Sequence, residues 1–256
     1  MFVGFRRFSV LALAAVAGAC GSDSSTTPIE TQPATLGQAL SELSLPVLAV
    51  AGPSFVDIGS SAALDPSRCP YAAASQSFVC TAISESGVTI NQSFTLLSAS
   101  GAKQSAFDQT TTAAVRANTT IAGTLVESGT SLTIDGQQEL TLSGLLAGPH
   151  TLNGTSLVKL KGTISNGTTS IPLDVAVSTT ITNLVLPANA TAGADVWPKS
   201  GTIAVETSGT VSGFPSGTNR LTMTFNGTST VTLTITGPGV SQSCRVDLAK
   251  GEPVCG

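Results

Sequence analysis

Apolar and polar residues alternate with a period of two over much of the chain after residue 85. Val158 and Leu160, for example, alternate with Lys159 and Lys161. Because successive side chains of a β-strand point to opposite faces of a sheet, this pattern predicts strands with one apolar and one polar face. The alternation is also clear at residues 88–96, 113–125, 171–177, 221–225 and 231–235. We therefore expect an all-β fold of about ten long antiparallel strands.

Dipeptides of Asn or Asp with Gly interrupt the pattern and predict hairpin turns. Asn226-Gly227 separates two alternating stretches, and Asn166-Gly167 and Asp135-Gly136 repeat the device. A type I′ turn needs positive φ at both central residues, which these residue types tolerate. Strands with one apolar face must stack as two sheets or close on themselves. The expected architecture is therefore an antiparallel sandwich or a (half-)barrel.

One short helix is predicted near the N-terminus. In the stretch TLGQALSEL, Leu36, Leu40 and Leu43 recur at helical spacing, and Thr35 with Gln38 forms a capping box. The apolar stripe of this helix is expected either to cover an open end or concave face of the sheet, or to pack on one sheet edge.

The first twenty residues, MFVGFRRFSVLALAAVAGAC, have the organisation of an export signal. Arg6 and Arg7 precede an apolar run that is shorter than the roughly 20 residues a membrane-spanning helix needs. The ending AGAC, up to Cys20, resembles the lipobox of bacterial lipoproteins. In that family the cysteine is lipidated and becomes the first mature residue. The resemblance therefore implies a membrane anchor at Cys20.

The lipobox resemblance also divides the chain. Residues 1–19 are expected to be a lipoprotein signal peptide, and residues 20–34 a polar tether that cannot bury apolar surface. Residues 35–256 are expected to form a single all-β domain. The residue after the cysteine is Gly21 and not Asp. In proteobacterial lipoproteins the absence of Asp at this position favours sorting to the outer membrane. The expected location is the bacterial cell envelope, on the outer membrane, facing the periplasm or the cell surface.

The remaining four cysteines predict two disulfides. Four cysteines allow three pairings, and the spacing favours one of them. Cys69 and Cys80 are eleven positions apart, and so are Cys244 and Cys255. A turn signal at Lys250-Gly251 lies between the second two. We therefore expect one Cys69–Cys80 bond and one Cys244–Cys255 bond, which an exported chain can keep.

The residues that could support catalysis do not combine into a site. His150 is the one histidine of the chain, and it follows a Gly-Pro turn. Ser156 and Lys159 match the S-x-x-K pattern of penicillin-binding proteins, but they lie in an alternating strand and not at the start of a helix. No calcium-loop pattern and no carboxylates at ligand spacing occur. We expect no enzyme activity, no cofactor and no metal site.

The charge balance excludes one class of partner. The net charge is −4, and removal of the signal peptide takes away Arg6 and Arg7, leaving −6. Nucleic-acid sites are basic, so no nucleic-acid partner is expected. Lys159 and Lys161 share one strand face, where they either bind an anionic glycan or lipid head group or, more commonly, solvate and protect the strand.

Two classes of function remain after these exclusions. The first is a non-enzymatic, envelope-anchored lipoprotein with a structural or interaction role. The alternative is a carrier of lipid or of another apolar ligand in a β cavity. Trp197, the single tryptophan, is the candidate ligand contact, and its other interpretation is a plug at one end of the fold. A carrier needs an enclosed apolar cavity, and a structural module needs a packed core. Both require strands whose apolar residues alternate to face inward, so the pattern does not distinguish them.

Overall fold

A computed structural model describes residues 69–127, 129–165, 169–186, 197–212, 216–248 and 252–255. Fourteen strands in these ranges belong to one antiparallel sheet, and no helix occurs among the described residues. The all-β, antiparallel prediction is confirmed. The strands are β1 (Tyr71–Ala72), β2 (Ser77–Val79), β3 (Ile83–Glu85), β4 (Val88–Ser98), β5 (Lys103–Gln104), β6 (Thr112–Glu127), β7 (Thr130–Ser143), β8 (His150–Ser165), β9 (Ser170–Leu186), β10 (Ser200–Val211), β11 (Gly217–Phe225), β12 (Thr230–Gly237), β13 (Val240–Asp247) and β14 (Glu252–Cys255).

The sheet is a meander. From β7 to β14 every strand pairs with the strand that precedes it in sequence. At the other end the order is β1-β2-β4-β6, and β3 and β5 also pair with β4. In the described part of the chain the sheet is not closed, because β1 and β14 stand at opposite ends of this order. The predicted N-terminal helix, the tether and the signal peptide fall within residues 1–68, outside the described residues.

The apolar side chains of the long strands lie on one face of the sheet, which we call the inward face. Each residue predicted from the alternation to point inward is buried or half-buried. The buried ones among them are Val115, Val158, Leu160, Val175, Val177, Phe225, Val231 and Leu233. All of these except Val177 belong to one of three separate clusters among the described residues.

Two glycines on the inward face have positive φ and lie close to the neighbouring strand. Gly162 of β8 lies opposite Leu132 of β7 and has a φ of +150°, which side-chain-bearing residues rarely adopt. A Cβ at this position would overlap the backbone carbonyl oxygen of Ser131. Gly123 of β6 has the same φ and the same close approach to its neighbouring strand. Glycines inside strands allow bends and such close backbone contacts.

Two of the three predicted hairpin turns fall on described residues, and one of these predictions is wrong. Asn226-Gly227 lies between β11 and β12, and Gly227 has a φ of +84°, which confirms the hairpin turn. Asn226 does not have positive φ, so the turn is not of the expected type I′. Asp135-Gly136 is not a turn, because it lies in the middle of β7, where Gly136 pairs with Ile121 and Val158. Asn166-Gly167 lies outside the described residues.

Both predicted disulfides are present. Cys69 is bonded to Cys80, and Cys244 is bonded to Cys255. The first bond closes the β1–β2 hairpin, and the second joins directly paired residues of β13 and β14. The two bonds therefore lie at the two ends of the open sheet, where strand pairing has a neighbour on one side only.

Candidate functional site

A band of polar residues crosses the centre of the sheet. It consists of one triplet from each of β4, β6, β7, β8 and β9, at positions 91–93, 118–120, 137–139, 155–157 and 178–180. The strand register places all five triplets side by side. Leu157 is the one apolar residue among these fifteen. We call this band the polar belt.

The middle residue of each triplet lies on the inward face. This inward row contains Gln92, Thr119, Gln138, Ser156 and Thr179, each directly opposite the next. It separates a cluster around Phe94, Leu96 and Val115 from a second around Val158, Leu160 and Val175. The apolar inward face is therefore divided in two along the strands.

The side chains of the inward row form no hydrogen bonds with other groups in the described part of the chain. Thr119, Ser156 and Thr179 are 9%, 6% and 5% exposed. Their hydroxyl groups have no protein hydrogen-bond partner, yet no fully buried polar side-chain atom in the described residues is left unpaired. The hydroxyl oxygens must therefore reach solvent-accessible space. A dry, continuous core cannot fill this part of the inward face.

The outer residues of the β6, β7, β8 and β9 triplets form a groove on the opposite face, with a volume of about 570 Å³, and the middle residues Thr119, Gln138, Ser156 and Thr179 also contribute to its lining. Two rows of side chains form its walls. The residues of both rows are adjacent in sequence to those of the inward row and therefore point to the opposite face of the sheet. The inward-facing residues two positions before and after the inward row, such as Ala117 and Ile121, do not line the groove. The groove therefore lies on the outward face. One wall contains Asn118, Glu139, Thr155 and Thr180, and the other contains Thr120, Gln137, Leu157 and Ser178.

The groove is close to neutral. Glu139 is its one charged lining residue, and Arg116 Nε lies 4.0 Å from Glu139 Oε1. Both side chains are about half exposed, so this pair is worth little energy. Its effect is to offset the single negative charge at the edge of the groove.

The two lysines predicted to share a strand face do so, outside the groove. Lys161 Nζ donates a hydrogen bond of 2.7 Å to Asp174 Oδ2. That hydrogen bond and the negative charge of Asp174 raise the pKa of Lys161 above its ordinary value of 10.5. Lys159 lies directly opposite Asp135 in the register of β7 and β8. A carboxylate therefore contacts Lys161, and a second lies opposite Lys159 in the register, which favours the protective interpretation over an anion site.

The other predicted candidates lie apart from the polar belt. Trp197 is half-buried just before β10 and does not line the groove. His150 begins β8 opposite Leu186. Ser156 and Lys159 belong to the same strand but are three residues apart, so they point to opposite faces and cannot form an S-x-x-K pair. Cys20 lies outside the described residues.

The polar belt was not predicted from the sequence. Each triplet interrupts an alternating strand with consecutive polar residues, as in Asn118-Thr119-Thr120, and this interruption is the one signal that could have revealed it. Single triplets are common in a chain rich in Thr and Ser. Their significance comes from the register, which sequence alone does not give.

The described ranges contain no group of three or more metal-ligating side chains and no helix long and apolar enough to cross a membrane. We compared the chain with protein-family models, curated proteins and solved structures, and none of them matches it.

Proposed function

We propose that the protein is a non-enzymatic, envelope-anchored lipoprotein in which the sheet acts as an interaction module. The polar belt carries this proposal. A lipid carrier needs a continuous, enclosed apolar cavity, whereas the inward row of Thr119, Ser156 and Thr179 divides the apolar face. The outward groove supplies a polar surface for an envelope partner.

The anchoring part of the proposal rests on the N-terminal segment. The lipobox resemblance up to Cys20 supports a lipid anchor that holds the chain at the outer membrane. We also propose that the protein has no nucleic-acid partner. The opposite orientations of Ser156 and Lys159 support a non-catalytic role, because the S-x-x-K match then has no shared site.

The finer architecture is also a proposal. A half-barrel, in which the inward face is the concave one, accounts for the low exposure of residues far apart on that face. Leu96, Val115 and Val231 are 0%, 0% and 1% exposed, and such values require that this face be covered. The inward glycines of β6 and β8, whose positive φ is compatible with bends in a strand, support the same curvature.

Two experiments test the proposal on the full-length protein. In detergent phase separation, the parent should enter the detergent phase and Cys20→Ser should not. If Cys20→Ser is processed and partitions like the parent, the anchor is wrong. Native mass spectrometry of the parent, released from micelles, should give the mature chain with its covalent lipid alone. A further, non-covalently bound lipid mass would overturn the interaction module in favour of the carrier.

A further inference from the structure

We infer that the outward groove of the polar belt binds a neutral polysaccharide chain. This inference rests on the proposed function and names the chemical class of its partner. It follows from three properties of the groove: the hydrogen-bonding capacity of its walls, its charge and its shape.

The walls offer unpaired groups of both hydrogen-bonding types. Asn118 and Gln137 present amides, and Thr155, Ser178 and Thr180 present hydroxyls. None of these five side chains hydrogen-bonds another group of the chain, as far as the described residues show. Amide and hydroxyl side chains both donate and accept. A sugar hydroxyl also does both, so the two surfaces are complementary group by group.

The charge of the groove excludes the common ionic ligands. Phosphates, nucleic acids and anionic lipid head groups are bound by Arg and Lys, and no lysine or arginine lines the groove. The one carboxylate, Glu139, has Arg116 beside it. A neutral, strongly hydrated partner is the class that matches this balance.

The shape of the groove indicates a chain and not a compact molecule. It crosses β6, β7, β8 and β9, three interstrand spacings or about 14 Å. Pockets for small ligands are mostly lined by hydrophobic side chains and enclose their ligand, whereas all the side chains lining this groove except Leu157 carry an amide, hydroxyl or carboxylate group, and the groove lies on a sheet surface. Leu157, the single apolar residue of the walls, provides a contact for the C–H face of one sugar ring.

The test is affinity electrophoresis of the full-length protein in micelles of a polyoxyethylene detergent, which carries no sugar. Gels contain dextran, laminarin, galactomannan or alginate. We expect at least one of the three neutral polysaccharides to retard the protein. Alginate, the anionic one, should not retard it more strongly than they do.

A pair of matched variants assigns the binding to the groove. Thr155 and Thr180 are direct cross-strand partners in one wall, and Thr224 and Thr232 are direct partners on the same outward face but outside the groove. All four side chains are exposed. The double change Thr155→Val and Thr180→Val should weaken retardation about tenfold, because hydroxyl partners of the sugar are lost while shape is kept. The double change Thr224→Val and Thr232→Val should leave it unchanged.

Several results would overturn the inference: no retardation by any neutral polysaccharide, stronger retardation by alginate, or equal weakening by both pairs of changes. The proposed function fails by different results. If the protein is anchored through Cys20 and free of bound lipid but is not retarded, the polysaccharide assignment is wrong and the proposed interaction module still stands.

Discussion

Ser156 of β8 and Thr179 of β9 lie directly opposite each other on the inward face, and neither hydroxyl has a hydrogen-bond partner in the chain. Two small polar side chains thus occupy neighbouring positions that alternation would fill with Val or Leu. Their position between two apolar clusters gives the inward face a polar centre. Substitution of such a residue measures what its hydroxyl contributes to the free energy of unfolding.

Thr179→Val should leave the free energy of unfolding unchanged or raise it by up to about 1 kcal/mol, because no protein hydrogen bond is lost and apolar surface is added. Thr112→Val is the matched control. Thr112 is 1% exposed, and its hydroxyl donates to Gln104 Oε1 at 2.8 Å and accepts from the Asp108 backbone N–H at 3.0 Å. Its loss should cost about 1–3 kcal/mol. Urea denaturation measures both. An equal cost at the two sites would mean that the Thr179 hydroxyl is bound by structural water.

Leu160→Ala and Leu233→Ala should each destabilise the protein by about 2–5 kcal/mol, because truncation leaves a cavity in a packed cluster. Leu160 and Leu233 are 8% and 9% exposed and belong to different clusters. Val126→Ala, at a side chain that is 71% exposed, should change stability by less than about 0.5 kcal/mol. Denaturant unfolding distinguishes the two cases. Losses below about 1 kcal/mol at both leucines would indicate a loosely filled inward face.

Gly162→Ala should be more destabilising than Gly101→Ala. Both glycines have positive φ, but the φ of +80° at Gly101 lies near the left-handed region that costs about 1–2 kcal/mol for other residues, whereas the φ of +150° at Gly162 lies in a region essentially restricted to glycine. Gly101 has open space around it, whereas a Cβ on Gly162 would meet the backbone of Ser131 and Leu132. The difference between the two unfolding free energies therefore combines the greater backbone strain at Gly162 with the close approach of β8 to β7. Equal costs would show that the backbones can separate freely here.

Replacing Cys244 and Cys255 together by Ser should lower stability by about 3 kcal/mol on the chain-entropy estimate for a short loop. Peptide mapping without reduction should recover the Cys69–Cys80 and Cys244–Cys255 links in the parent. A Cys69–Cys255 link would contradict the structure, since it would require the two ends of the sheet to meet.

The Lys161–Asp174 pair predicts a pH dependence at high pH. The folded-state pKa of Lys161 is raised, so the contribution of the pair is fully present below the unfolded-state pKa, near 10.5. It is lost as the pH rises through the folded-state pKa. In NMR titration of the lysine side chains, Asp174→Asn should move the Lys161 midpoint down. An unmoved midpoint would mean that the pair does not persist in solution.

Alternation predicted the long strands because their apolar faces determine both strand conformation and orientation. The same logic explains the error at Asp135-Gly136. Gly136 occupies an inward position where Val158 Cγ2 would lie 3.1 Å from a Cβ, so the glycine reflects packing and not a turn. The hairpin between β6 and β7 instead passes through Gly129, which has a φ of +84°.

The candidate site was much less predictable than the fold. A groove wall such as Thr155 and Thr180 consists of residues 25 positions apart in sequence that become neighbours through the register of β8 and β9. That register runs without a shift from the Ser165–Ser170 pair to the Gly154–Ile181 pair, and no single residue of either strand signals it. The edge strands β1, β2, β3 and β5 are two or three residues long, too short to show alternation.

The meander has a consequence for how the chain folds. From β7 onward each strand pairs with the strand made just before it, and extensive contacts occur only between sheet neighbours in the described residues. The contact order is therefore low for an all-β protein, which favours fast folding. A chain that emerges N-terminus first meets each new partner strand already in place. The sheet can grow one strand at a time, with one disulfide closing the first hairpin and the other the last.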